Sequence, residues 1–231
     1  MIREKFQYYL SIVYYSLIAK KNGRYVMSFL SDILGKPTTD DLASAIPSND
    51  LEKIKKILAK DPKLVNVPDK DGATILLYAT LYGQTNTLDM LLKSGADPNL
   101  QDNSGWTALM RAAIEGYTII QSHLLKSGAN PNLQNKDGDS ALILAASRGQ
   151  TDTIYRLLKS GANPNLQNKD GWSALMWSAA HGQTEDANML LQNGADPNLQ
   201  NKDGRNALWF AEKNGQTAIV ILLKTGAAPN H

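Results

Sequence analysis

Glycine recurs along this chain with a period of 33 residues. One ladder runs Gly72, Gly105, Gly138, Gly171 and Gly204, and a second runs Gly83, Gly116, Gly149, Gly182 and Gly215 at the same spacing. A third, Gly95, Gly128, Gly161 and Gly194, keeps the period until its last member, Gly226, which arrives one residue early. Self-similarity at such a period marks an array of units that each pack only on their neighbours. The length of 231 residues therefore does not set a domain count.

Each unit can be read from its side chains. Two residues after the first glycine stands Thr74, Thr107, Ser140, Ser173 or Asn206, whose side-chain oxygen can accept from the orphan amides of a helix start. An apolar stretch such as ALMRAA or ALILAA then runs for about two and a half turns to the second glycine, a natural left-handed stop. A threonine follows two residues later in every copy (Thr85, Thr118, Thr151, Thr184, Thr217) and predicts a second N-cap and a second helix. Asp152, Glu185 and Asp186 in the first turn and Lys93, Lys126 and Lys159 in the last complement the dipole of that helix. The third glycine closes it. Stretches such as GADPNLQDNSG and GANPNLQNKDG, dense in Asn, Asp, Pro and Gly, predict an extended crossing with a tight turn. Each unit is thus helix, helix, finger.

A 33-residue unit of the form DGxTALMxAAxxGQTxxxxxLLxSGADPNLQN resembles the ankyrin repeat. Five copies occupy 69–101, 102–134, 135–167, 168–200 and 201–231. A degenerate copy at 39–68 contains DLASAIPSNDLEKIKKILAKDPKLVN, with Asn49 at the glycine position and one residue inserted before Asn66. The resemblance implies an all-α solenoid, with a helix-turn-helix and a β-turn finger per unit, preceded here by a helical cap at 1–38. The chain departs from the family tetrad Thr-Pro-Leu-His: the proline becomes alanine, or Ile75 in the first clear copy, and the histidine becomes Leu77, Met110, Ile143, Met176 and Trp209. That histidine supports hydrogen bonds between repeats in the family. Cohesion between units is therefore expected to lean on apolar packing more than on polar bonds. The deletion in the last copy, with Glu212, Lys213 and Asn214, suits a terminal cap.

Residues 4–20 place Phe6, Leu10, Val13, Tyr14, Leu17 and Ile18 at helical spacing, and Tyr25, Val26, Phe29, Leu30 and Ile33 suggest a second amphipathic helix. A hairpin covering the exposed side of the first repeat is the preferred reading, because stacked repeats need closing at both ends. The rivals are a membrane-surface or docking helix using Lys20, Lys21 and Arg24, and a signal peptide whose apolar stretch tyrosines interrupt.

The remaining chemistry is sparse. Twenty-four basic against 22 acidic residues lack the concentrated positive field that nucleic acid requires, so no nucleic-acid partner is expected. Without cysteine there is no disulfide, thiolate nucleophile or Cys-ligated zinc, which fits a cytoplasmic protein, or one delivered from there into a host cell. His123, His181 and His231 lie in different units, none at metal-pair spacing, and GxSxG, GxxxxGK[ST] and GxGxxG are all absent. In the loop beginning at Asp196, Asn201 and Ala207 stand where a calcium loop needs Gly and Glu. No cofactor, metal or catalytic residue is expected, and the chain is read as a non-enzyme.

Its four tryptophans all fall in fingers or first helices. In ankyrin stacks these elements resemble a cupped hand that grips partners, so the resemblance implies another protein as partner, held by an otherwise monomeric chain. Tryptophan and arginine are the residues that most often anchor interfaces. By register, the gripping palm is expected at Trp106, Asp139, Trp172 and Arg205 in the fingers, with Ile114, Glu115, Ser147, Arg148 and His181 at the ends of the first helices. Arg111 and Trp177 stand beside them. Packing between repeats competes with partner contact as the role of Trp177 and Trp209. An inhibitor or immunity-type protein and an effector both suit such a surface, the alternative being a scaffold anchored to membrane by residues 1–38.

Overall fold

The computed structural model describes residues 37–225, and among these it contains twelve α-helices and no strand. The expected hairpin at 1–38 lies almost entirely outside the described residues, as do Gly226 and His231. The chain divides into two compact units, Met1–Leu64 and Val65–His231.

In the first unit, α1 (Thr39–Ala45) packs on α2 (Leu51–Lys60) through Leu42, Ala45, Ile54, Ile57 and Leu58. Thr38 and Asp41 form a reciprocal capping box, and Asp50 caps α2 by accepting from the Lys53 amide. Between them Asn49 adopts φ 51°, the left-handed conformation that glycine supplies in the other copies. Asparagine tolerates it better than most residues. A 3₁₀ turn at Pro62–Asn66 leads on.

The second unit holds five helix pairs: α3 (Ile75–Leu81) with α4 (Thr85–Lys93), α5 (Ala108–Glu115) with α6 (Thr118–Lys126), α7 (Ala141–Arg148) with α8 (Thr151–Lys159), α9 (Ala174–His181) with α10 (Thr184–Gln192), and α11 (Ala207–Lys213) with α12 (Thr217–Thr225). First helices stack on first helices, and second helices on second. The start of each first helix is as the sequence indicates: Thr74, Thr107, Ser140, Ser173 and Asn206 each accept from the amide three residues on. Gly116, Gly149 and Gly182 are left-handed C-caps.

The second helices start one residue earlier than expected. The threonine is the first helical residue, and the N-cap is Gln84, Tyr117, Gln150 or Gln183, none of which caps with its side chain. The glutamines are engaged elsewhere. The Gln183 amide reaches back to donate to the Ala146 carbonyl at 2.9 Å and accept from the Gly149 amide at 3.1 Å, tying the end of α7 to the next unit. Gln150 and Gln216 lie against Gly116 and Gly182 in the same way.

Cohesion between units combines apolar packing with polar bonds. Leu77, Met110, Ile143 and Met176 are indeed buried where the family histidine would stand. Polar bonds between units are nevertheless numerous, and they have moved into the fingers. Asn99 donates to the Gly128 carbonyl at 3.0 Å and accepts from the Asn130 amide at 2.7 Å. Asn132 and Asn165 repeat the pattern one and two units later, and Asn66 begins it. Gln101, Gln134 and Gln167 each donate to the carbonyl of the glutamine one unit ahead, the last of these being Gln200. Backbone bonds such as Lys136 to Ser104 and Lys169 to Asp137 join successive finger tips.

Candidate functional site

The finger turn sets the palm side chains. In each of the second to fifth clear units one Asp or Asn oxygen accepts two backbone amides, the second belonging to the expected palm residue four positions on: Asp102 for Trp106, Asn135 for Asp139, Asn168 for Trp172 and Asn201 for Arg205, all at 2.9 to 3.0 Å. This pins the chain just before the first helix in each of these units. Glycine at the turn is demanded by its neighbour as well as by its positive φ: a Cβ on Gly138 would sit 2.7 Å from the Lys169 backbone nitrogen.

Two clusters result. In the second clear unit the Arg111 guanidinium lies 4.1 Å over the Trp106 ring and 3.7 Å from the Asp102 carboxylate. The finger turn, the tryptophan and the arginine are thus one assembly. In the fourth and fifth units the rings form a continuous run. Trp172 lies 4.4 Å from Trp177 and 4.3 Å from Phe210, His181 stacks on Trp177 at 5.6 Å, and Trp209 meets Phe210 edge-on at 5.1 Å. Arg205 covers Trp209 at 4.2 Å, where a cation is attracted to the ring face.

Trp209 stands 37% exposed, although it occupies the register of the buried Met176, because no sixth pair follows to cover it among the described residues. Trp172 and Trp177 are half-buried, and the Trp177 indole N–H is enclosed without a hydrogen bond. Phe210 escapes a search for exposed anchors because it is buried, yet it falls 33 residues after Trp177 and its position in the run is legible from that register.

The other candidates join neither cluster. Ile114, half-buried, and Glu115, exposed, end α5; exposed Arg148 ends α7, where Ser147 donates to the Leu144 carbonyl at 2.8 Å. Asp139 is half-buried and accepts from the Asn168 side chain at 2.9 Å. Burial pushes its carboxyl above the usual range, with the Asn168 bond opposing and Asp137 and Asp170 adding to the shift. Arg148, Arg205 and Lys213 are exposed, as is Asp170 in the finger that carries Trp172, while Glu212 is held by Lys224 at 2.7 Å and Asp203 lies 3.7 Å from Arg205. Among the described residues no group of His, Asp or Glu could hold a metal ion, and no helix is long and apolar enough to cross a membrane.

The family model for ankyrin repeats matches residues 42–135 and 118–201. Among solved structures, an ankyrin repeat domain from Acinetobacter baumannii is 34% identical with a TM-score of 0.75, covering 79% of this chain and 95% of that one. The ankyrin repeat protein EF0377 is 31% identical with a TM-score of 0.75, covering 82% and 98%. Among curated proteins, the human DNA-binding protein RFXANK is 42% identical over 50 residues, 22% of this chain and 19% of that protein. An acyl-CoA-binding domain-containing protein 6 homolog from Dictyostelium discoideum is 35% identical over 64 residues, 28% and 22% of the two chains. The match spans about a fifth of either curated relative.

Proposed function

Because the chain belongs to the ankyrin repeat family, whose repeats are protein-interaction modules, we propose that it holds a partner protein on its finger and first-helix face, without catalysing a reaction. The observation that carries this reading is the ring run Trp172, Trp177 and Phe210, flanked by Trp209 under Arg205. Clustered aromatics surrounded by charge are the pattern of an interface with a central anchor and a polar rim. The partner that fits offers an apolar or aromatic anchor set among carboxylates, which meet Arg148, Arg205 and Lys213. Trp106 with Arg111 forms a second contact two units away.

The same surface serves an inhibitor that plugs a cognate protein or an effector that engages a host protein, and the partner's identity separates the two. Affinity capture with the full chain, followed by mass spectrometry, identifies it. Calorimetry with Trp106→Ala and Arg205→Glu is then expected to show at least about tenfold weaker binding, a loss of about 1.4 kcal/mol, for each. Undiminished binding by both variants, or equal loss from Asp152→Ala on the exposed side of α8, overturns the assignment.

A further inference from the structure

One buried carboxyl in the stack lacks a basic partner. Asp186, in the first turn of α10, is 1% exposed, and neither carboxylate oxygen has a hydrogen bond of normal geometry. The same register in the other units carries Thr87, Ile120, Thr153 and Ile219, all buried and none ionisable. Unit four departs in α9 as well, where Ser178 places an unbonded hydroxyl at a position that is Ala79, Ala112, Ala145 and Ala211 elsewhere. On the outer side of the α8–α10 seam a hollow of about 300 Å³ opens between Tyr155, Lys159, Glu185 and Met189.

We propose that Asp186 makes the seam between α8 and α10 a proton-sensitive joint, tight when the carboxyl is protonated and loosened when it is ionised. No base faces the carboxyl. From α8 it meets the Thr151 hydroxyl, while Asp152, Arg156 and Lys159 are exposed. From α9 the one titratable group is His181, exposed at the far end, and from α12 it is Lys224, paired with Glu212. Burial pushes the Asp186 carboxyl above the usual range; the Thr151 hydroxyl opposes this and the neighbouring Glu185 adds to it. The position of Asp186 near the helix N-terminus also favours the anion, but burial without well-formed hydrogen bonds outweighs both opposing effects.

A carboxyl whose folded pKa is raised supports the fold fully below its unfolded pKa, and that support is lost as pH rises through the folded value. The seam joins the unit bearing Asp139 and Leu144 to the unit bearing Trp172 and Trp177, so its state alters the spacing of the palm.

Amide hydrogen exchange of the full chain at about pH 4 and about pH 7.5, corrected for intrinsic rates, tests the joint. Peptides from α8 and α10 should lose more protection at the higher pH than peptides from α4 and α6. In Asp186→Asn and Asp186→Thr that selective loss should vanish, and at about pH 7.5 at least one variant should melt above wild type, the gap closing towards acid. The same pH dependence in wild type and variants, or both variants melting below wild type at about pH 7.5, overturns the proposal.

Discussion

The rings of Trp172 and Phe210 lie 4.3 Å apart, one in the fourth unit and one in the fifth, so a finger residue is also a wedge between units. Truncation at Trp172 therefore acts on stability as well as on binding. Trp172→Ala should cost about 3 kcal/mol of unfolding free energy, the usual loss for a large packed ring. Trp209→Ala, which removes an exposed ring under Arg205, should cost about 1 kcal/mol or less. Urea unfolding followed by circular dichroism distinguishes them, and equal losses would remove Trp172 from its bridging role.

Gly138 and Gly161 share φ 82° but differ in surroundings. A Cβ on Gly161 meets nothing within 4 Å, whereas on Gly138 it meets the Lys169 nitrogen at 2.7 Å. Gly161→Ala should cost about 1 to 2 kcal/mol from the left-handed conformation alone. Gly138→Ala should cost several times more, since the finger-tip bond from Lys169 to Asp137 must also shift. Thermal melts of the pair isolate the contact from the dihedral.

Asn132 bonds forward to both the Gly161 carbonyl and the Asn163 amide. Asn132→Ala should cost about 1 to 2 kcal/mol, and hydrogen exchange should quicken in the finger at 160–165 more than at 94–99. Uniform quickening would show that the asparagine ladder does not join neighbours pairwise.

The Tyr78 hydroxyl donates to Asp69 at 2.6 Å, and this bond pushes the phenol up to about 12. Burial disfavours the Asp69 anion, but the Tyr78 hydroxyl and the Ala73 and Asp71 amides outweigh it and hold the carboxyl below its usual range. For the phenol the folded value is raised, so its support is present below about 10 and lost as pH climbs through about 12. For the carboxyl the folded value is depressed, so support is present above its ordinary value and lost as pH falls through the folded one. Tyr78→Phe should flatten the alkaline limb of the stability profile and remove one late-titrating phenolate from the ultraviolet absorbance curve.

Much of the fold was legible because its determinants are local. A left-handed glycine, a hydroxyl or amide before an apolar run, and a Pro-Asn-Gly-rich turn each act within a few residues, and the 33-residue period repeats them. The second N-cap differs from the sequence expectation. Thr151 and Thr184 look like caps, yet each is the first residue inside its helix, and the glutamine before it turns its side chain back to the preceding unit. The asparagine ladder was likewise hidden, since Asn99 and Asn132 read as turn formers until the next unit is laid beside them.

Sequence alone thus determined the repeat, its helix starts and stops, and the row on which Trp106, Asp139, Trp172 and Arg205 stand. Only tertiary structure decided that Trp172 joins Trp177 and Phe210 while Trp106 joins Arg111, and that Asp186 is enclosed without a base. The physical reason is distance along the chain. Periodicity specifies what each unit does with itself, whereas ring contact, carboxylate burial and bonds between units depend on which side chains the stacking brings within a few ångströms.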